Sequence, residues 1–131
     1  MGAVAENARK AGREAFSNAG LTYSVLTPAS MKRLRALVND RMKASGLIEE
    51  SFRCRQRAVI KDTPFGRYAE IRCRSYYFDN REAISFNTDG FIGFAGWADD
   101  QNVQPIVEGF KAWVSELAAT QTTEGAGHDS R

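Results

Sequence analysis

Arginine recurs at every second position on both sides of a short turn: Arg53, Arg55 and Arg57 before it, Arg72 and Arg74 after it. A spacing of two places each set on one face of a strand. Directly opposed residues share a face, so side-chain parity restricts the pairing of the two strands. If Lys61 opposes Tyr68, then Arg57 faces Arg72, Arg55 faces Arg74 and Arg53 faces Tyr76, while Ala58 meets Ile71 and Phe52 meets Tyr77 on the other side. Each like-charge pair costs on the order of 0.2 to 1 kcal/mol. A phosphate would offset that, since each charge-assisted hydrogen bond from a guanidinium contributes roughly 1.5 to 3 kcal/mol. Tyr68 and Tyr76 flank the arginines and offer rings on which a base could stack. The other resolution is a solvated arginine face whose partners are carboxylates from the acidic half of the chain or from another subunit.

A second polar group lies in two turns, FDNRE and Asn87-Thr88-Asp89-Gly90, where Asp79, Asn80, Arg81, Asn87 and Asp89 neighbour Phe78, Phe86, Phe91 and Trp97. Asn and Asp in turns often bond their own backbone. Alternatively, a ring receives a base while an amide or carboxylate reads its edge or a ribose hydroxyl. The binding reading names Arg57, Arg72, Arg74 and Arg81 as phosphate partners. Phe78 or Phe91 is the stacking ring with Tyr76 nearby, and Asn80, Asn87 and Asp89 are polar readers. Gly93 and Gly96 leave room for close approach of backbone or ligand. Cys54 and Cys73 fall on the core side and read as packing.

Other chemistries rank lower; an enzyme acting on a nucleotide would have to use Asp or Glu as base with a metal, and the carboxylates of the acidic half show no recognisable ligand spacing. The only histidine, His128, sits in the polar stretch TQTTEGAGHDSR, so Ser-His-Asp or Cys-His hydrolysis has no ordered base. Cys54, Cys73 and His128 cannot supply the four ligands of a zinc site, and phosphate-loop and dinucleotide motifs are absent. The expectation is no catalytic residue, no metal and no cofactor.

The elements that position these residues are legible in the pattern. Thr27-Pro28 reads as an N-cap and first helical residue, and Met31, Leu34, Leu37, Val38 and Met42 form one apolar face before Gly46. From Ser51 the period changes to two, giving the arginine-rich hairpin across DTPFG. A second hairpin closes at Asn87–Gly90, with Ile84, Phe86 and Phe91 assigned to one face and Ala83, Ile92 and Phe94 to the other. Strands apolar on both faces imply cover on both faces. A last helix carries Val103, Ile106, Val107, Phe110, Trp113, Val114 and Leu117, with Pro105 in its first turn. The fold class is α+β: a four-stranded antiparallel β-meander with an N-terminal and a C-terminal helix packed on it, in the order α-β-β-β-β-α. Residues 27–118 form the domain. Residues 1–26 are an extension with at most a short frayed helix, and residues 119–131 are a disordered tail.

With 131 residues the chain suits one domain. No apolar run approaches the roughly 20 residues of a membrane span. The N-terminus lacks the apolar stretch of a secretory signal, so a cytoplasmic location is expected. The 18 basic and 16 acidic residues are unevenly placed: residues 51–74 hold seven basic against two acidic, and residues 79–116 hold two against seven.

The run YYFDNREAISFNTDGFIGFAGWADDQNVQPIVEGFKAWVSEL, with the preceding helix and arginine-rich hairpin, resembles the phage Thoeris anti-defence sponges of the first described type. The likeness covers about residues 27–117. It implies a protein that catalyses nothing, binds glycocyclic ADP-ribose, and keeps this cyclic nucleotide immune signal from its effector in the host cytoplasm. It also implies a homo-oligomer, hexamers being among the family's assemblies, and in some members a separate site for cyclic oligonucleotides. A pyrophosphate needs arginines, an adenine a ring, and riboses amide or carboxylate partners, all of which the residues above supply. The alternative is an anti-CRISPR-type inhibitor in which the basic hairpin tracks the phosphates of a nucleic acid or nucleoprotein complex.

Overall fold

The computed structural model describes residues 2–46, 54, 57–73, 81–96, 98 and 100–129, the stretch from 121 on as backbone only. Helix α1 spans Gly2–Asn18, a 3₁₀ turn Tyr23–Val25, and α2 Pro28–Ser45; strands β1 Val59–Thr63, β2 Gly66–Cys73, β3 Arg81–Phe86 and β4 Ile92–Phe94 follow, and α3 spans Asp100–Asp129. The four strands form one antiparallel sheet in the order β1-β2-β3-β4. The protein is α+β, with three α-helices.

Helix α2 follows its sequence signals. The Thr27 hydroxyl accepts from the Ser30 N–H at 3.2 Å, Pro28 opens the helix, and Gly46 closes it in the left-handed conformation at φ +65°. All five residues of the apolar face are buried. Helix α3 buries Val103, Ile106, Val107, Phe110, Trp113 and Val114. It begins at Asp100, which puts Pro105 in the second turn rather than the first. Its backbone runs on to Asp129, across the stretch whose composition pointed to a tail. No proline follows Pro105, and Gly125 and Gly127 weaken a helix without ending it.

Helix α1 departs most from expectation. It is a 17-residue helix whose buried positions are Ala5, Arg9, Gly12 and Phe16, spaced four, three and four apart. Because an arginine and a glycine occupy two of the four, the stripe does not register as apolar; Ala8, Ala11 and Ala15 beside it are only partly buried. Phe16 joins Tyr23, Phe86, Phe94, Phe110 and Trp113 in an aromatic cluster between sheet and helices. Within it the Phe94 and Phe110 rings meet edge-on with centroids 4.9 Å apart. The Trp113 Nε1–H donates to the Ser30 carbonyl at 2.9 Å, tying α3 to the first turn of α2. Trp113→Phe should cost about 2 kcal/mol by losing that bond and the buried ring volume. Urea denaturation checks it, and an unchanged midpoint would remove the bond from the account of how α3 docks.

The first hairpin has the expected register, Lys61 opposite Tyr68, within a ladder from Val59↔Glu70 to Thr63↔Gly66. The ladder starts at Val59, so Arg57 does not pair with Arg72; the partners expected further out (Arg53, Arg55, Arg74, Tyr76) lie outside the described residues. The second hairpin closes with Asn87 bonded to Phe91 and Gly90 at φ +88°, a three-residue loop. That length pairs Phe86 with Ile92 and Ile84 with Phe94. These four side chains therefore share the core face, and Phe91 is turned out, correcting the assignment of faces made from sequence. Ala83 is buried because the β2–β3 register shifts between Ile71 and Arg72 and leaves it as the extra residue of a bulge. The pattern that read as apolar on both faces is thus one apolar face plus a bulge. The opposite face carries Glu70, Arg72, Ser85 and Gly93.

Among the described residues no helix is long and apolar enough to cross a membrane.

Candidate functional site

The site residues expected from sequence fall in three places. On the outer sheet face, Arg72 and Arg81 line a pocket of about 400 Å³ together with Glu82, Ser85 and Gly93. Its floor depends on Gly93, where a Cβ would stand 2.8 Å from the Ser85 hydroxyl. Arg72 is engaged by two carboxylates: its Nε lies 2.6 Å from Glu70 Oε2 and its Nη2 lies 3.6 Å from Glu82 Oε1. Only 9% of the Glu70 side chain is exposed, against 34% of Arg72, so the pair is shielded from water on its carboxylate side alone. The Tyr68 hydroxyl beside them is pushed up to about 12, by burial first and then by the charges of Glu70 and Glu82. For Arg72, the arginine face has found carboxylate partners, one of them from the acidic half of the chain.

At the tip of the second hairpin, the Asn87 Nδ2–H donates to the Phe91 carbonyl at 3.1 Å and Asp89 Oδ1 accepts from the Phe91 N–H at 2.9 Å. Both side chains build the turn. Phe91 is 51% exposed, and the Arg13 guanidinium carbon lies 4.4 Å from its ring centroid. Arg13 also donates through Nε to the Ile92 carbonyl at 2.8 Å, so one face of the ring is taken by an intramolecular cation. Arg74, Tyr76, Phe78 and Asn80 lie outside the described residues.

Arg57 stands apart from these, in a cleft of about 670 Å³ between the first half of α2 and the start of β1, lined by Pro28, Ala29, Lys32, Arg35, Arg57, Ala58 and Ile60. Among the described residues of this lining the three charged ones are all cations. Lys32 and Arg35, one helical turn apart, meet Arg57 here because Ala58 and Ile60 pack toward the core and bring the chain alongside α2. Among the described residues neither Lys32 nor Arg57 has an ion-pair partner. The cleft also opens on the positive end of the α2 dipole. There the Ser30 and Met31 N–H groups are bonded to Thr27, and Pro28 has no N–H to offer. Such a cleft can hold an anion with two or more negative charges.

Sequence reasoning found Arg57 but did not name Lys32 or Arg35 for the site. The available signal was the spacing of Ala29, Lys32 and Arg35 on a single helical side adjoining the apolar face. Among the described residues no cluster of three or more His, Cys, Asp or Glu is placed to hold a metal ion. No model of a known protein family matches the chain, and neither a curated protein nor a solved structure matches it.

Proposed function

We propose that this protein binds and sequesters a cyclic nucleotide immune signal without altering it, the pyrophosphate lying in the cleft between α2 and β1. The observation that carries the reading is the charge of that cleft, where Lys32, Arg35 and Arg57 line about 670 Å³ with no carboxylate among the described residues of the lining. Lys32 and Arg57 alone match the two negative charges of an esterified diphosphate, and a guanidinium matches its oxygens in geometry. None of the described lining side chains is a carboxylate, imidazole or thiolate that would take a proton, which suits holding rather than hydrolysis. The resemblance to Thoeris anti-defence sponges supplies the ligand, glycocyclic ADP-ribose, and with it a phage protein at work in the host cytoplasm, acting as a homo-oligomer.

Titration calorimetry with glycocyclic ADP-ribose is the test. Micromolar or tighter binding is expected, with the ligand recovered unchanged by chromatography. Arg57→Ala and Lys32→Ala should each weaken it roughly tenfold or more, the loss of one charge-assisted contact. No heat of binding at micromolar ligand would overturn the reading.

The openness of the cleft and the exposure of Lys32 and Arg57 favour one rival, a nucleic acid. Salt separates the two. Three cations on a duplex limit the slope of log K against log salt to about −2.7, and a nucleic-acid surface using further basic residues would exceed it. A cyclic nucleotide should stay well below.

A further inference from the structure

Cys54 and Cys73 are both buried free thiols, 3% and 1% exposed, with their sulfur atoms 2.9 Å apart. Packing alone would leave two sulfur atoms at van der Waals separation. Here they are within about 1 Å of bonding distance. Each is held from a different side. Cys73 ends β2, where it pairs with Arg81 of β3. The backbone of Cys54 is gripped by one side chain of α2: its N–H donates to Asn39 Oδ1 at 2.7 Å, and its carbonyl accepts from Asn39 Nδ2 at 3.0 Å.

We propose that Cys54 and Cys73 form an intramolecular disulfide when the protein meets a disulfide oxidant, and that this bond fastens the chain leading to Arg57 to the end of β2. In the exchange one cysteine gives up its proton and its thiolate attacks a sulfur of a small disulfide of the glutathione class. Its S–S bond breaks, one half joins a protein sulfur as a mixed disulfide, and the second protein sulfur displaces it. Two S–H bonds are lost, one S–S bond forms, two electrons pass to the oxidant, and the two protons leave on two molecules of reduced small thiol. Because the second sulfur is already in contact, the mixed disulfide resolves internally instead of accumulating. In the reduced state the Cys73 thiol is pushed up, by the bond to Cys54 and by burial, and remains protonated. The disulfide would close a loop containing the whole first hairpin, with Asn39 holding one end against α2, so oxidation couples the sheet to the helix that forms the other wall of the cleft.

The test uses the intact chain, equilibrated with oxidised glutathione in mild urea so that the buried thiols are sampled, and then returned to buffer. The expected product is lighter than the reduced chain by about 2 Da, with no reactive thiol on denaturation. Its melting temperature should be higher by roughly 10 °C, as a loop of this size implies. Cys54→Ala should instead retain a glutathione adduct on Cys73. Two titratable thiols after equilibration, or a persistent adduct on the unaltered chain, would overturn the proposal.

Discussion

Gly109→Ala is expected to lower the melting temperature by about 12 °C, equivalent to about 3 kcal/mol for a domain of this length. The sign is the informative part. In an exposed helix interior the same change stabilises, because alanine forms helix better than glycine by about 1 kcal/mol. Here an added Cβ would stand 2.6 Å from Val38 Cα, 2.8 Å from Val38 N and 3.0 Å from the Leu37 carbonyl oxygen. Those are backbone atoms of α2, and they cannot rotate aside. The two helices would have to separate along the contact that buries Leu34, Val38, Ile106 and Phe110, opening a packing defect in place of an interdigitated one. Gly12 offers a control: its added Cβ would meet the end of the Phe94 ring at 2.8 Å, a side chain that can shift by a few tenths of an ångström. Gly12→Ala should therefore cost less. A melting curve for Gly109→Ala at or above that of the unaltered protein would show that α2 and α3 do not cross in backbone contact.

Arg9→Met is expected to cost about 4 kcal/mol, although methionine keeps the aliphatic stem and suits a helix. The guanidinium of Arg9 is buried and donates to three backbone carbonyls, from Nε to Phe94 at 2.8 Å and from Nη2 to Ala95 at 3.0 Å and Ala98 at 3.2 Å, while Nη1 meets Glu6 at 2.8 Å. These carbonyls belong to the end of β4 and the bend after it, the free edge of the sheet. With Arg13 on Ile92, α1 thus satisfies an edge that would otherwise expose unpaired carbonyls. The bend itself is strained, since Ala95 has φ +34°, a value that costs a non-glycine residue of the order of 1 to 3 kcal/mol. Removing the guanidinium leaves buried carbonyls without donors and takes away what holds the strained backbone. Relief of the arginine's own desolvation offsets part of the loss. Arg9→Lys should recover only a fraction, because one ammonium cannot serve three diverging acceptors. Chemical denaturation of the three proteins checks the order; equal stability for Arg9→Met and the unaltered chain would sink it.

The same arginine shows where sequence reasoning stopped. The amphipathic stripe of α2, its Thr27 cap, the Lys61–Tyr68 register and the apolar spacing of α3 are local quantities, fixed by neighbours two to seven residues away, and each was legible. A buried arginine was not, because its partners Phe94, Ala95 and Ala98 are 85 to 89 residues distant. Without knowing that three carbonyls converge there, a cation at position 9 reads as solvated surface, and the helix it belongs to reads as an extension. Glycines 12 and 109 were silent for a related reason: what they permit is the approach of another element, which has no signature in their own segment.

The candidate site divides along the same line. The sequence alone established an α+β chain with basic and acidic halves and a single histidine, and it raised the expectation that an arginine-rich hairpin takes an anion. It could not say which arginines are spent within the protein. The fold engages Arg72 with Glu70 and Glu82 and sets Arg13 over Phe91, while it leaves Arg57 beside Lys32 of α2 in a cleft. Charge is a property of residues, but its availability to a ligand depends on which opposite charges lie within a few ångströms and how much water separates them, and only the packing of helix against sheet decides both.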